Sequence, residues 1–380
     1  MPRRNISTKR KSERAYLICA DTGLNNGILS PKESIEELRE LARSAGAVVV
    51  GSLIQKVKKP SRNYLGLGKI ELLVSLANSG KFDTIISDDE LTPTQQKNLE
   101  SFFGGKIKVI DRTALILDIF SSRAHTREGK LQVELAQAEY LLPRLAGQWS
   151  HLERLGGGIG TRGPGETQIE TDRRLVRAKI SRVKKSLNSV MTHRKMHRSR
   201  RLEFGLPVFS LVGYTNAGKS TLINLLTTAK VKSQDLLFST LDPTTRKLRL
   251  PSGANILLTD TVGFIQKLPP TVVAAFRATL EEIVESSVIV HVVDISHPFA
   301  GTQHDVVNKI LNSDLGLNQK PVITVLNKVD KISDSTDQDS FLKSFDHQFA
   351  NLVVVSALKE IGIEDLLNLF EKMLDEKKSV

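Results

Sequence analysis

The strongest constraint in this sequence is a glycine-rich octapeptide, GYTNAGKS, at Gly213–Ser220. The apolar run Leu206–Val212 precedes it, and the helix-forming segment TLINLLTT follows it. A strand, a glycine-rich turn and a helix in this order predict a phosphate-binding loop, in which backbone N–H groups surround phosphate oxygens at a helix N-terminus. In such a loop Lys219 reaches the β- and γ-phosphates, and the Ser220 hydroxyl is offered to Mg²⁺.

Two later motifs predict that the base is guanine. NKVD, Asn327–Asp330, follows the apolar strand Val322–Leu326. An aspartate can accept hydrogen bonds from both N1–H and the exocyclic amine of guanine, and adenine has no such amine. A site built on buried pairing of this kind rejects the wrong partner by roughly 10⁴ to 10⁵. SAL, Ser356–Leu358, follows the next predicted strand and would bring backbone N–H groups to guanine O6.

Two segments between these motifs are predicted to be nucleotide-sensitive switches. DTVG, which begins at Asp260, would hold the Mg²⁺ shell through Asp260 and sense the γ-phosphate through the Gly263 N–H. The earlier segment FSTLDPTTR supplies Thr240 as a second Mg²⁺ ligand, with Thr244 and Thr245 as alternatives.

The group that orients the attacking water is not identified by the sequence. Many related enzymes have glutamine directly after this motif, where this chain has Phe264. Hydrolysis would then need another group, a monovalent cation or a partner that completes the site. Asn216 resembles the asparagine that binds K⁺ in cation-activated GTPases, but it could instead stabilise its own loop.

These motifs give the full set of predicted nucleotide-binding residues. From the phosphate-binding loop they are Gly213, Tyr214, Thr215, Asn216, Ala217, Gly218, Lys219, Ser220 and Thr221. From the two switches they are Phe238, Ser239, Thr240, Leu241, Asp242, Asp260, Thr261, Val262 and Gly263. From the guanine motifs they are Asn327, Lys328, Val329, Asp330, Ser356, Ala357 and Leu358. The predicted Mg²⁺ ligands are Ser220 and Thr240.

Hydrophobic periodicity predicts an α/β chain with three parts. A small α/β domain occupies 1–111, a long antiparallel helical hairpin occupies 112–204, and the GTP-binding domain occupies 205–380. Predicted strands of the first domain are Ala15–Ala20, Ala47–Gly51, Asp83–Ser87 and Ile107–Ile110, and its predicted helices are Pro31–Ser44, Lys69–Asn78 and Pro93–Phe103. The hairpin carries a glycine-rich tip at 156–165.

The positive charge is concentrated in the hairpin. Of the net charge of +12, the segment Arg144–Glu203 contributes +10 and the first fourteen residues contribute +5, so the rest of the chain is mildly acidic. A basic segment of this kind indicates contact with a polyanion. The predicted RNA-binding residues are Arg154, Gly157, Arg162, Arg173, Arg174 and Arg177.

The remaining features predict a cytoplasmic protein. No apolar run approaches the roughly 20 residues that span a bilayer, and a single cysteine, Cys19, excludes an intramolecular disulfide. We expect a monomer. The basic N-terminus leaves two alternatives open, an organelle transit peptide and weak association with anionic membrane surfaces.

The motifs together resemble the HflX-type GTPases, a branch of the translation-factor-related GTPases. GYTNAGKST, LFSTLDPTTR and DTVGFIQKLP carry this resemblance in the GTP-binding domain. In the N-terminal half it rests on DELTPTQQKNLE, DRTALILDIFSSRAHTREGKLQVELAQAEY and LPRLAGQWSHLERLGGGIGTRGPGETQIETDRR. It extends from about Asn63 to the end of the chain.

The resemblance implies a factor that binds the large ribosomal subunit and 23S-type rRNA in its GTP state. Its hairpin and tip would reach rRNA, and it would split or rescue stalled ribosomes, with subunit-stimulated GTP hydrolysis as the release switch. ATP binding by the N-terminal domain is a further suggestion, for which GLGK at Gly66–Lys69 is weak support against a tight turn. The alternative function is a guanine-nucleotide-sensing RNA-binding module in large-subunit assembly.

Overall fold

The chain divides into two compact units in the computed structural model. The structure describes residues 13–23, 30–145, 164–203, 206–227, 236–269, 272–273, 277–332 and 351–378. One unit consists of Met1–Asp118 with Pro143–Ile169, and the other of Ile119–Leu142 with Glu170–Val380. The segment predicted as the hairpin therefore contributes to both units.

The N-terminal unit is built on a four-stranded parallel sheet with the order β2-β1-β3-β4. Its strands are β1 (Arg14–Asp21), β2 (Val48–Lys56), β3 (Thr84–Ser87) and β4 (Lys108–Asp111). The helices between them are α1 (Pro31–Ser44), α2 (Leu67–Asn78) and α3 (Pro93–Phe102). All four residues of β3 are buried, as expected for a central parallel strand that is covered on both faces. The predicted β-α-β alternation is confirmed.

Local sequence signals explain where these helices begin. Ser30 caps α1 and Thr92 caps α3, each in a complete capping box with the third helical residue, Glu33 or Gln95. α2 begins after Gly66, whose N–H donates to Gln55 Oε1 at 2.9 Å. The GLGK string thus forms the extended N-cap and the first helical turn of α2, and not a tight turn before the helix.

Buried ion pairs occupy the carboxyl ends of two strands in this unit. Asp88, directly after β3, accepts a hydrogen bond from Arg112 at 2.9 Å and another from Ser34 at 2.7 Å. Asp111, the last residue of β4, accepts a hydrogen bond from Arg144 at 3.1 Å. Because these carboxylates have charged partners within the unit, their burial is compensated.

The helical hairpin is formed by α5 (Arg127–Leu141) and the long α6 (Pro164–Glu203), whose residues belong mostly to the second unit. The helix before them, α4, spans Arg112–Arg123. Leu135 of α5 packs with Val183 and Leu187 of α6. Ion pairs flank this apolar seam at 3.1 Å for Lys179–Glu134 and at 2.8 Å for Lys184–Glu139. The two helices of the predicted hairpin therefore pack along an apolar seam.

The second unit contains a six-stranded sheet with the order β10-β9-β8-β5-β7-β6. Its strands are β5 (Val208–Gly213), β6 (Thr244–Arg249), β7 (Asn255–Asp260), β8 (Val288–Asp294), β9 (Val322–Asn327) and β10 (Leu352–Val354). Its helices are α7 (Lys219–Leu226), α8 (Arg277–Glu285), α9 (Ala300–Lys309) and α10 (Ile363–Lys378). The pairing is parallel except between β6 and β7. The carboxyl ends of β5, β7, β8 and β9 consequently share one edge, where ligands bind in open α/β sheets.

Within the described ranges, no helix combines the length and the apolar character that a membrane crossing requires.

Candidate guanine-nucleotide site

The candidate site begins at the predicted phosphate-binding loop, between the end of β5 and the start of α7. Gly213 has a φ of 156°, and a Cβ there would lie 2.2 Å from the carbonyl oxygen of Val292. Gly218 has a φ of 94°, and a Cβ would lie 2.3 Å from Asn327 Nδ2. Both positions therefore need glycine because neighbouring strands approach the loop closely.

Lys219 is buried inside this loop. Its ammonium group donates to the carbonyl oxygens of Gly213, at 3.1 Å, and Tyr214, at 2.9 Å. Burial lowers the pKa of Lys219 to about 8, while Asp260 acts in the opposite direction. The loop thus holds a buried cation at the N-terminus of α7, kept in place by two backbone carbonyl groups.

Three oxygen-bearing side chains meet beside the lysine. Asp260 Oδ2 accepts hydrogen bonds from Ser220 Oγ at 2.7 Å and Thr240 Oγ1 at 3.0 Å, and the two hydroxyl oxygens are 2.8 Å apart. Asp260 Oδ1 is buried without a hydrogen-bond partner. Burial raises the pKa of Asp260, and Lys219 opposes that shift. Carboxylate and hydroxyl oxygens fit Mg²⁺, and the unpartnered oxygen would gain a ligand from it.

The two guanine motifs are joined to the phosphate-binding loop through Asn327. Its Nδ2 donates to the carbonyl oxygen of Ala217 at 2.9 Å, and its Oδ1 accepts from the Ala357 N–H at 3.0 Å. Ser356 Oγ donates to Asp330 Oδ1 at 2.5 Å and so fixes that carboxylate. One asparagine therefore connects all three motifs.

The residue after DTVG is used for backbone pairing. Phe264 is buried, its N–H donates to the Gly213 carbonyl at 3.0 Å, and its carbonyl accepts from the Thr215 N–H at 2.8 Å. Gly263 must approach this loop closely, since a Cβ there would lie 2.7 Å from Thr215 Cα. This pairing fixes the second switch segment beside the phosphate-binding loop. Phe264 has no carboxamide that could orient a water molecule.

The structure brings most of the predicted switch and loop residues into one cleft. Its lining residues are Thr215, Asn216, Gly218, Lys219, Ser220, Thr221, Phe238, Ser239, Thr240, Thr261 and Gly263. Gly213, Tyr214 and Ala217 complete the loop, and Leu241 and Val262 are buried beside it. Lys328, Val329 and Asp330 follow β9, while Leu358 is exposed after β10.

Asp242 is placed differently from its predicted neighbours. Its carboxylate accepts hydrogen bonds from the backbone N–H groups of His125 and Thr126 at the start of α5. It does not line the cleft formed by the other switch residues.

Two functional side chains were not singled out from the sequence. Asp294, at the end of β8, pairs with Lys328 at 2.7 Å and steadies that residue in its left-handed conformation, with a φ of 67°. Tyr214 was predicted only as a loop residue, but its hydroxyl also accepts from the Gln266 N–H at 3.0 Å. The sequence signal that could have identified Asp294 is its position at the carboxyl end of a predicted strand.

The predicted RNA-binding residues fall into two groups. Arg173 is partly exposed, and Arg174 and Arg177 are exposed, on α6. Arg154, Gly157 and Arg162 lie outside the described residues, as do residues 156–163 of the predicted tip 156–165. The last two tip residues, Pro164 and Gly165, belong instead to the start of α6.

Comparison with known proteins gives three consecutive family matches. They are a GTP-binding GTPase N-terminal region at residues 32–121, a GTP-binding GTPase middle region at 123–201 and a 50S ribosome-binding GTPase domain at 208–328. The GTPase HflX of Caldanaerobacter subterraneus is 46% identical over 377 residues, which cover 98% of this chain and 83% of that protein. The chain belongs to the HflX family of GTPases.

Other family members and a solved structure support the same assignment. The GTPase HflX of Escherichia coli is 41% identical over 346 residues, which cover 90% of this chain and 79% of that protein. A crystal structure of SsGBP in complex with GDP has 26% identity and a TM-score of 0.51, with 97% of this chain and all of that chain aligned. This chain is therefore a GTPase with the fold class predicted from its sequence.

Proposed function

We propose that this GTPase binds the large ribosomal subunit and its 23S-type rRNA, splits or rescues stalled ribosomes, and uses GTP hydrolysis to leave. The observation that carries the proposal is the 50S ribosome-binding GTPase match at residues 208–328, combined with an exposed basic face on α6. GTP favours one conformation of the two switches and GDP another, so affinity for the subunit follows the nucleotide.

In this proposal the nucleotide is held by the cleft together with Asp260 and the guanine motifs. Lys219 binds the β- and γ-phosphates, and the fixed carboxylate of Asp330 reads the guanine edge. Ser220 and Thr240 would ligate Mg²⁺, and Asp260 would hold its shell. The buried, unpartnered Asp260 Oδ1 supports this role because it lies beside the two hydroxyl groups.

The RNA contact is assigned to the solvent side of the hairpin. On α6, Val183 and Leu187 pack toward α5, while Arg174, Arg177 and Lys185 are exposed. Arginine forks contact phosphate oxygens in pairs, which suits a backbone-dominated RNA interface. The apolar seam would keep this face in place when RNA binds.

Hydrolysis is proposed to depend on completion of the site by the subunit or by a cation. The second switch carries Phe264 where a carboxamide could orient water. Asn216 is exposed in the loop with a φ of 63°, and it is the proposed K⁺ ligand. Stimulation of such incomplete sites by a partner reaches roughly 10⁵-fold in the best case.

The test is GTP turnover with and without purified large subunits, in K⁺ and in Na⁺, at one fixed ionic strength because polyanion binding depends on salt. A stimulation of at least 100-fold by mature subunits is expected, and Asn216→Ala should remove any preference for K⁺. If precursor subunits stimulate turnover and mature subunits do not, the function in subunit assembly replaces the proposed one.

A charge-reversal pair separates the RNA contact from general electrostatics. Arg174→Glu with Arg177→Glu should lose most of the subunit stimulation while intrinsic turnover stays within about twofold, because neither side chain lines the cleft. Lys309→Glu with Lys372→Glu is the matched control on exposed positions of α9 and α10. Equal losses in both pairs would contradict an RNA contact on α6.

A further inference from the structure

Hydrogen bonds accepted by Asp242 connect the first switch segment to the start of α5. Asp242 Oδ2 accepts the N–H of His125 at 2.8 Å and that of Thr126 at 2.9 Å. Its other oxygen accepts the Thr126 hydroxyl at 2.5 Å. These residues are more than 100 positions apart in sequence and belong to the same compact unit.

The arrangement has the pattern of a capping box whose second half comes from a distant segment. Thr126 Oγ1 accepts the Gly129 N–H at 3.0 Å, as the N-cap residue of a capping box does. In α3 the third helical residue, Gln95, returns a side-chain oxygen to the N-cap N–H at 3.0 Å. In α5 that third residue is Gly129, which has no side chain, and Asp242 binds the N-cap N–H in its place.

The absence of a side chain at Gly129 leaves the space that the Asp242 carboxylate occupies. A Cβ at Gly129 would lie 2.3 Å from Asp242 Oδ1 and 3.1 Å from Thr126 Oγ1. Glycine within a helix costs roughly 1 kcal/mol relative to alanine. The chain therefore has a less favourable helix residue at the one place where the switch carboxylate must enter.

A second contact anchors the same segment on the other side of Thr240. Phe238 is buried with a left-handed φ of 57° and packs edge-to-face against Phe120, with 4.9 Å between ring centroids. Thr240 thus lies between an aromatic anchor two residues before it and a carboxylate anchor two residues after it.

We propose that Asp242 is a positioning residue that holds Thr240 at the Mg²⁺ site by completing the capping box of α5. The proposal rests on the assignment of Thr240 as a Mg²⁺ ligand, made above. Thr240 is needed when Mg²⁺ and the γ-phosphate are bound together and is released without that phosphate. Docking of the first switch on α5 should therefore raise the affinity for GTP relative to GDP. By thermodynamic reciprocity, bound GTP should stabilise the docked conformation of the switch.

The test compares the affinity of the full-length protein for GDP and for a non-hydrolysable GTP analogue at one Mg²⁺ concentration. Asp242→Asn puts an amide donor among the N–H groups and should lower the preference for the GTP analogue by roughly tenfold, the size expected for hydrogen bonds to a charged group. GDP affinity should stay within about twofold of wild type.

Gly129→Gln separates switch positioning from helix stability. Glutamine can complete the capping box of α5 locally, as Gln95 does in α3, and would exclude the Asp242 carboxylate. We expect thermal stability at or above that of wild type, together with a loss of GTP preference like that of Asp242→Asn. Gly301→Gln is the matched control, because Gly301 lies in the first turn of α9 and a Cβ there meets nothing within 4 Å.

Two outcomes would overturn the proposal. One is an unchanged nucleotide preference in both Asp242→Asn and Gly129→Gln, and the other is an equal loss of affinity for both nucleotides. Thr240→Ala distinguishes the two proposals, because an unchanged preference there would remove Thr240 from the Mg²⁺ site itself. If Thr240→Ala lowers the preference and the other two variants do not, only the positioning role of Asp242 fails.

Discussion

Three buried carboxylates at strand ends of the two sheets, Asp88, Asp111 and Asp260, differ in the partners they have. In the N-terminal unit, Asp88 and Asp111 are buried in ion pairs with Arg112 and Arg144. In the GTPase unit, Asp260 is buried with one oxygen lacking a partner. The N-terminal carboxylates thus have arginine partners within hydrogen-bond distance, whereas Asp260 has two hydroxyl donors on one oxygen and keeps its other oxygen for the proposed metal ion.

The ion pairs of the N-terminal unit should have the greatest effect on stability. Arg112→Ala leaves Asp88 and Glu37 buried without their common partner, so unfolding free energy should fall by about 3–5 kcal/mol. Denaturant unfolding followed by circular dichroism measures this change. Arg14→Ala, which removes an exposed ion pair with Asp83, is the control and should change stability little. GTP affinity of folded Arg112→Ala should be unchanged, and a parallel loss of nucleotide binding would mean that this ion pair also supports the nucleotide site.

Lys219→Ala tests the nucleotide site of the GTPase unit. It removes a buried cation proposed to bind phosphates, so GTP affinity should fall by about 100-fold or more, which corresponds to roughly 3 kcal/mol. Titration with a fluorescent GTP analogue measures the loss. Stability should change less than in Arg112→Ala, because Asp260 keeps its hydrogen bonds from Ser220 and Thr240. Retained nanomolar affinity would exclude Lys219 from phosphate binding.

Asp330→Asn tests whether Asp330 recognises the guanine base, and its effect on affinity should be smaller than that of Lys219→Ala. An amide can donate a hydrogen bond where xanthine has an oxygen acceptor, so preference should shift from GTP toward XTP by about 10- to 100-fold, the range for a hydrogen bond to a charged group. Competition binding with both nucleotides gives the ratio. Ser356→Ala removes the hydroxyl that fixes this carboxylate at 2.5 Å and should weaken GTP binding without a gain for XTP.

The sequence predicted this fold well because its signals are local. Short-range periodicity or steric requirement explains the N-terminal strands and helices and the glycines of the phosphate-binding loop. The hydrogen bonds of Asn327 with Ala217 and Ala357 link segments about 110 and 30 residues apart. Motif order predicted that these segments share a site, but not which atoms join them.

Asp242 shows where sequence reasoning ends. Its place in the first switch motif predicted a nucleotide contact, and its carboxylate lies instead at the start of α5. No pattern within the motif indicates a partner more than 100 residues away, and Gly129 resembles an ordinary weak helix residue. Such pairings follow from tertiary packing, which one sequence without its relatives does not specify.

The smallest predicted effect concerns a buried histidine on the strand beside the phosphate-binding loop. His291 on β8 is buried, its ring stacks on His304 at 4.9 Å, and burial lowers its pKa well below 6.5. The unfolded chain binds a proton near pH 6.5 and the folded chain does not, so stability should be unaffected above that pH and fall below it. Between pH 7.5 and 5.5 the loss should be about 1 kcal/mol, beyond what other groups contribute. His291→Leu should show a correspondingly flatter pH dependence in urea unfolding, and an unchanged slope would mean that the native protein accepts this proton as readily as the unfolded chain.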